Sequence, residues 1–280
     1  MINLDPATIE VQTKPTTLED LKKIAPVLQE LIFDAARAVH LQPYYEAAGH
    51  IHLSVKGVFH GDAVLFRNFL VDFVNHSELA TGVLEYDHMN APPLSALTQK
   101  QQEAFRQIIK DFDRTQKMSI HELASRIQKE VFTESPSGWT PAAKYQAFSL
   151  ARILNPNLTE EEWTLEIRSI RGSLSMFDTI LTLELFHRRI AYLQKKGGLV
   201  TLRKRLLSAE LSERSAEYYF RQYVSEMRAS WDKFKVLMMK YGAQAPSAED
   251  ILSPRRSPFE PYPIVRNKKN QSSCSRTLIP

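Results

Sequence analysis

Cysteine and long apolar runs are scarce in this sequence, and each scarcity excludes a class of protein. The 280 residues contain one cysteine, Cys274, so no disulfide can form within the chain and a reducing, cytoplasmic location is expected. No run reaches the roughly 18 apolar residues of a transmembrane helix. The first residues, MINLDPATIEV, lack the basic and then apolar segments of a secretory signal. We therefore expect a protein with no membrane partner.

Excess positive charge is confined to the C-terminal end of the sequence. The formal net charge is +4, but residues 253–280 contain six basic residues and one acid, Glu260, which leaves the rest of the chain at −1. Because the body is nearly neutral, the overall charge does not indicate a nucleic-acid partner. The end itself is rich in proline and has no periodicity, so it is predicted to be a basic, disordered tail.

Hydrophobic periodicity predicts few strands among many helices. Strands are predicted at 8–13, 49–57, 144–153 and 163–170. Helices are predicted at 17–40, 61–76, 97–115, 119–132, 175–196, 199–208 and 212–241, with Thr17 and Ser119 as N-caps. This order favours an α+β fold in which helices pack on one face of a mainly antiparallel sheet. The predicted division is a domain over 1–198, a helical extension over 199–252 and the tail over 253–280.

The segment GHIHLSV, residues 49–55, is the most informative stretch. Side chains alternate along a strand, so His50, His52 and Ser54 share one face while the three aliphatic residues between and after them share the other. The aliphatic face can enter a core. The polar face presents two imidazoles, which are common ligands of divalent metals.

Two other predicted strands also have one polar face and one mostly apolar face. Glu10 lies on a polar face of the first strand, and Glu166 and Arg168 share a face in LEIRSI. If these strands lie beside the histidine strand, they form a floor of carboxylates, imidazoles and a guanidinium. Such a floor suits Mg²⁺ or Mn²⁺ and phosphoryl chemistry. A solvated sheet surface gives the same alternation, and His-x-His alone also fits a zinc site in a hydrolase, so both alternatives stay open.

Four segments, in order, resemble the carboxylate–amine ligase superfamily, which includes glutamine synthetases, glutamate–cysteine ligases and bacterial amidoligases. GHIHLSV is similar to the Gly-x-His-x-His-x-Ser strand of that group, and TLEIRSIRG to its later Glu-x-Arg strand. KYQAF, from Lys144, is similar to the Lys-Tyr segment that amidoligases carry before the second strand. IEVQTKP and the helix after it are similar to the segment that leads to the histidine strand. The resemblance covers about residues 8–195.

The resemblance implies a fold, a reaction and a set of residue roles. It implies a glutamine-synthetase-like catalytic half that uses ATP and Mg²⁺ (or Mn²⁺) to phosphorylate a carboxylate, after which an amine attacks the acyl phosphate. His50, Glu166 and Glu10 would be metal ligands, and His52 would approach the ATP phosphates. Arg168 would hold the transferring phosphate, and Lys144 would contact the nucleotide or the acidic substrate. The implied substrates are a small-molecule or peptide carboxylate and an amine.

One motif of the group does not match this sequence. Its members carry a Glu-x-Glu strand upstream of the segment that matches Glu10, whereas only nine residues precede Glu10 here. Three alternatives follow: a second chain completes the site, the product is truncated, or the chain is a ligase-like binding or regulatory protein without turnover. The first hypothesis is an active amide- or peptide-forming ligase, and the inactive binding protein is the alternative.

Overall fold

The computed structural model describes residues 2–5, 8–11, 13–40, 48–83, 91, 93–132, 146–171, 175–206 and 213–241. The chain is mixed α and β. The strands are β1 (Ile2–Asp5), β2 (Thr8–Val11), β3 (Ala48–Ser54), β4 (Phe148–Ser149) and β5 (Thr164–Arg171). The helices are α1 (Leu18–Leu28), α2 (Ala35–Ala38), α3 (Val55–Phe59), α4 (Ala63–Asn75), α5 (Gln99–Thr115), α6 (Ile120–Arg126), α7 (Met176–Lys196), α8 (Glu213–Glu226) and α9 (Trp231–Tyr241). None of these described helices is long and apolar enough to cross a membrane.

Helix starts follow the capping signals of the sequence. The Thr17 side chain accepts a hydrogen bond from the Asp20 backbone N–H, and Ser119 forms a capping box with Glu122. The Asp62 side chain caps α4 by accepting hydrogen bonds from the backbone N–H groups of Val64 and Leu65. Helical structure also runs from α1 through a π-helical turn, Gln29–Asp34, into α2, which confirms the predicted helix over 17–40.

The described strands form two separate sheets. β3, β5 and β4 form an antiparallel sheet in which β5 is central, whereas β1 and β2 pair only with each other. A mainly antiparallel sheet was predicted, and the pairing of β3 with β5 is antiparallel. The expectation that the strand of Glu10 joins the same sheet was wrong, because β2 forms its backbone hydrogen bonds with β1.

Three other predicted elements differ from the structure. β3 ends at Ser54 rather than at Gly57, since the Ser54 hydroxyl accepts a hydrogen bond from the Gly57 N–H (2.9 Å) and starts α3. Of the strand predicted over 144–153, the described part is strand only at β4, and 151–153 form a turn. The helix predicted over 212–241 is two helices, α8 and α9, separated by 227–230. The predicted tail over 253–280 lies outside the described residues.

Helix α4 lies at the centre of the molecule, because every residue from 65 to 75 is buried. Phe73 packs against Phe148 of β4 and Phe186 of α7, with ring centroids 6.3 Å apart in both cases. The same hydrophobic core contains Ile51 and Ile167 of the sheet, together with side chains from α5, α6, α8 and α9. The described parts of the region predicted as a helical extension, 199–206 and 213–241, therefore share one core with the sheet.

Polar side chains of α4 also fix an extended segment, 198–203, across its surface. The Asn68 side chain donates to the Gly198 carbonyl (2.7 Å) and accepts from the Val200 N–H (2.9 Å). The Asn75 side chain does the same with the Thr201 carbonyl (2.9 Å) and the Arg203 N–H (2.8 Å). These bonds satisfy backbone groups that a helix would otherwise pair internally. A helix was predicted over 199–208. These bonds explain why its described part, 199–206, is not helical.

A buried ion pair connects α4 to α7. The Arg189 guanidinium donates two hydrogen bonds to the Asp72 carboxylate (2.8 and 2.5 Å) and lies over the Tyr223 ring, 4.1 Å from its centroid. Burial alone would lower the pKa of Arg189, but the Asp72 hydrogen bonds and the attraction of nearby acidic groups, among them Asp72 and Glu226, together raise that pKa. Burial raises the pKa of the Tyr223 phenol well above its ordinary value. Arg189 therefore stays charged, and Tyr223 stays neutral, across the physiological range.

Removing one partner of this pair is expected to be strongly destabilising. Asp72→Leu should lower the free energy of unfolding by about 3–5 kcal/mol, because Arg189 would remain buried without its counter-charge. The double variant Asp72→Leu/Arg189→Leu should regain a large part of that loss. Urea unfolding of the two variants measures both effects. A double variant no more stable than Asp72→Leu would contradict the assigned cause.

The contacts of the 198–203 segment give a second stability prediction. Asn68→Ala and Asn75→Ala should each lower the free energy of unfolding by about 1–3 kcal/mol, because each removes two part-buried hydrogen bonds to the backbone of 198–203. Gln99→Ala, at the exposed start of α5, serves as the control and should change it by less than about 0.5 kcal/mol. Urea unfolding measures these changes. An equal change in the free energy of unfolding at all three positions would show that the side-chain contacts to 198–203 do not stabilise the fold.

Candidate functional site

The two faces of the β3–β5 pair have opposite chemistry, as the sequence predicts. Ile51 lies opposite Ile167 and Leu53 opposite Leu165, and all four are buried in the core. On the other face His52 lies opposite Glu166. The alternation therefore directs the ionisable side chains of both strands away from the apolar core.

A β-bulge lies within this polar surface. Gly49 pairs with Ile170 and Ile51 with Ile167, so that Arg168 and Ser169 of β5 together face the single residue His50 of β3. The N–H groups of Arg168 and Ser169 both point to the Ala147 carbonyl (2.9 and 3.4 Å). Bulges increase local twist and redirect side chains, and they are frequent beside functional sites.

Glu166 is the centre of the ionic contacts at this site. Its Oε1 atom accepts a hydrogen bond from the Arg168 guanidinium (2.6 Å) and lies 3.2 Å from His50 Nδ1. Glu166 and Arg168 are only 8% and 9% exposed, whereas about a quarter of the His50 side chain is exposed. The carboxylate is thus held in place by two neighbours, and one of them reaches solvent.

His52 lies at the exposed rim of the same surface. Its Nδ1 atom is 3.1 Å from the Thr164 hydroxyl, at the start of β5. Ser54, which shares the face in sequence, uses its hydroxyl to cap α3 instead. The histidine strand therefore contributes two imidazoles to the site, and its serine side chain fixes the turn into the next helix.

The geometry of His50 and Glu166 fits two neighbouring ligands of one divalent cation. Neighbouring ligands of an octahedral Mg²⁺ lie about 3.0 Å apart when each bond is about 2.1 Å. The His50 Nδ1 and Glu166 Oε1 atoms are 3.2 Å apart. No third His, Cys, Asp or Glu joins them to form a ligand cluster in the described parts of the chain. Magnesium sites often use one or two protein ligands together with water and substrate phosphate oxygens.

Two predicted site residues remain, Glu10 and Lys144. Glu10 lies in β2, opposite Asn3 of β1 and in the other sheet. Lys144 lies outside the described residues, so its predicted role stays a prediction. The structure thus brings together four of the six predicted residues: His50, His52, Glu166 and Arg168.

Sequence reasoning missed the polar neighbours that β4 adds to this surface. Ser149 of β4 lies opposite Glu166, and both Ser149 and Gln146 are almost completely buried. The Ser149 hydroxyl accepts a hydrogen bond from the Ala151 N–H (3.3 Å), so β4 places a small, buried polar group beside Glu166. The segment QAFS reads as an apolar strand with flanking polar residues, so only the register of β4 with β5 reveals this contribution.

Comparison with protein-family models, with curated proteins and with solved structures finds no match for this chain. Inference about the function therefore begins from the geometry of the β3–β5 surface and from the motifs that it contains.

Metal binding to this surface gives a direct prediction. Mn²⁺, which electron paramagnetic resonance detects, should bind the wild-type chain, and Glu166→Gln and His50→Ala should each weaken binding about tenfold or more. Glu103→Gln removes a carboxylate from the exposed face of α5 and should leave the affinity unchanged. A Glu166→Gln variant that binds Mn²⁺ as tightly as the wild type would exclude Glu166 as a ligand.

Proposed function

We propose that this protein is an ATP- and Mg²⁺-dependent ligase that joins a carboxylate to an amine through an acyl phosphate, on a glutamine-synthetase-like fold. One observation carries the proposal. His50 and Arg168 each lie within hydrogen-bonding reach of Glu166 beside the bulge of the β3–β5 pair, with His52 on the same face. These four positions belong to two of the four segments on which the resemblance to carboxylate–amine ligases is based.

The chemistry of the four side chains suits phosphoryl transfer. His50 and Glu166 would hold the divalent cation, which would neutralise charge on the ATP phosphates. Arg168 presents a planar guanidinium that binds phosphate oxygens in pairs, so it would orient the transferred group when it leaves Glu166. His52, at the exposed rim, would donate to a phosphate oxygen. Positioning and charge neutralisation of this kind supply most of the catalysis in phosphoryl transfer.

The proposed reaction balances in two steps. The substrate carboxylate oxygen attacks the γ-phosphorus of ATP, the bond to the β-phosphate oxygen breaks, and an acyl phosphate and ADP form. The amine nitrogen then attacks the acyl carbon, inorganic phosphate leaves, and the amine loses a proton to give the amide. Arg168 contributes to the first step by stabilising negative charge on the γ-phosphoryl oxygens while that group separates from ADP.

One placement favours the alternative, a ligase-like binding protein without turnover. Glu10, the third predicted metal ligand, lies in a separate sheet, so the β3–β5 surface lacks one of the carboxylates that would stabilise the transition state. In such a protein Mg²⁺–ATP binds, but no ADP is released. The two candidates therefore differ in turnover rather than in the residues that bind the nucleotide.

Turnover in the presence of a trapping amine separates these candidates. The wild-type chain, given Mg²⁺–ATP, the twenty amino acids as carboxylates and hydroxylamine as the amine, should release ADP and form a hydroxamate. Glu166→Gln should lower the rate at least 100-fold, because it removes a ligand charge, and Glu103→Gln should not change it.

If no ADP is released, calorimetric titration with Mg²⁺–ATP tests whether the chain binds the nucleotide without turnover. Binding that is lost in His50→Ala would then support the binding protein. Full turnover by Glu166→Gln would show that the assigned residues are wrong for both candidates.

A further inference from the structure

A cavity of about 680 Å³ lies among α1, α7 and the C-terminal end of α8. Its volume is within the range of about 300–1,000 Å³ that is typical of small-molecule sites. The described residues that line it belong to these helices and to the turn after α8, and none belongs to β3 or β5. It is therefore a different place on the molecule from the surface that carries His50 and Glu166.

Cations outnumber carboxylates around this cavity. The carboxylates are those of Glu19, Glu184 and Glu226. The cations are Lys22, Arg188, Lys195, Lys196 and Arg228. A concave surface with an excess of one charge sign concentrates the field inside it and attracts counter-ions.

Each of the three carboxylates already forms an ion pair with a neighbouring cation. Glu226 pairs with Arg189 (2.8 Å), which also pairs with Asp72, and Glu19 pairs with Lys22 (3.3 Å). Glu184 pairs with Arg188 (3.0 Å) and with Lys233 (2.6 Å), a residue that does not line the cavity. Burial would raise the pKa of Glu184, but its hydrogen bonds with Lys233 and Arg188 and the attraction of nearby lysines together lower it. None of these ion pairs involves the remaining cations of the cavity.

Those remaining cations are Lys195, Lys196 and Arg228. None of them has a carboxylate within ion-pair distance in the part of the chain that the structure describes. The helix dipole favours lysines in the last turn of a helix, and this effect accounts for the presence of Lys195 and Lys196 at the end of α7. It does not explain Arg228, which approaches the same cavity from the turn after α8.

Arg228 lies in the turn after α8 with a φ angle of +52°, in the left-handed region that favours glycine at the end of a helix. His40, His60 and Gln116 adopt the same left-handed conformation, so the backbone by itself assigns no role to the Arg228 side chain. The Tyr192 ring also lines the cavity, and the Lys196 ammonium lies over it, 5.6 Å from the ring centroid.

We propose that this cavity binds a small, multiply charged anion, with Lys195, Lys196 and Arg228 binding its phosphate or carboxylate groups. The site is independent of the proposed ligase activity. Inorganic tripolyphosphate and citrate are the two probes, because they separate phosphate from carboxylate chemistry at similar size and charge.

Calorimetric titration of the full chain with each probe tests the proposal. At least one probe should show saturable binding, and Lys195→Glu/Lys196→Glu should weaken it at least tenfold. The matched control, Lys100→Glu/Lys110→Glu, makes the same charge change on the exposed surface of α5 and should weaken binding less than twofold. Glu166→Gln should bind the probe as the wild type does. No saturable binding of either probe, or an equal loss in both double variants, would overturn the proposal.

Arg228→Gly separates the binding role from folding. It should raise the midpoint of thermal unfolding by about 2 °C, since glycine relieves the left-handed backbone, and it should weaken binding of the probe about threefold or more. A variant that is more stable and binds the probe as well as the wild type would overturn the role of Arg228.

Discussion

The antiparallel pairing of β3 with β5 is the constraint on which the rest of the site depends. Its register places Ile51 and Ile167 together in the core, and the same register places His52 beside Glu166 on the opposite face. A slip of one residue would exchange the two faces, burying imidazoles and exposing aliphatic side chains. Burial of the apolar face therefore fixes the geometry of the polar one, and the bulge opposite His50 determines which groups meet there.

Helix α4 holds this sheet and the surrounding helices in one body. It contacts β4 through Phe73, α7 through the Asp72–Arg189 pair and the 198–203 segment through Asn68 and Asn75. A helix buried on all sides has no solvated face, so each of its polar groups requires a partner within the protein. This explains why amide side chains here pair with backbone groups of a distant segment.

Much of the fold could be predicted because its signals are local. The capping residues Thr17 and Ser119 mark helix starts, and alternation in GHIHLSV and LEIRSI identifies both strands of the site and the residues on each face. The resemblance to carboxylate–amine ligases rests on these same local motifs. Four of the six predicted site residues lie on the polar face, as alternation predicts.

The missed features depend on contacts between distant residues. The pattern LVTLRKRLL is typical of a helix, but Asn68 and Asn75 of α4 bind the backbone of this segment in an extended form. The placement of Glu10 in a second sheet depends on β1, whose four residues carry little signal. The extra residue of the bulge lies in Arg168-Ser169, which contains no glycine, and Gly49 on the facing strand does not fix its position, so only strand register locates it.

The most direct measurement of the central claim is selective broadening of histidine side-chain signals in nuclear magnetic resonance spectra. Paramagnetic Mn²⁺ with a non-hydrolysable ATP analogue should broaden the imidazole signals of His50 and His52, two of the eight histidines in the chain. The signal of His76, which packs against Tyr223 in the helical core, should stay sharp. Unchanged signals from His50 and His52 at saturating Mn²⁺ and nucleotide would contradict a metal–nucleotide site on the β3–β5 surface.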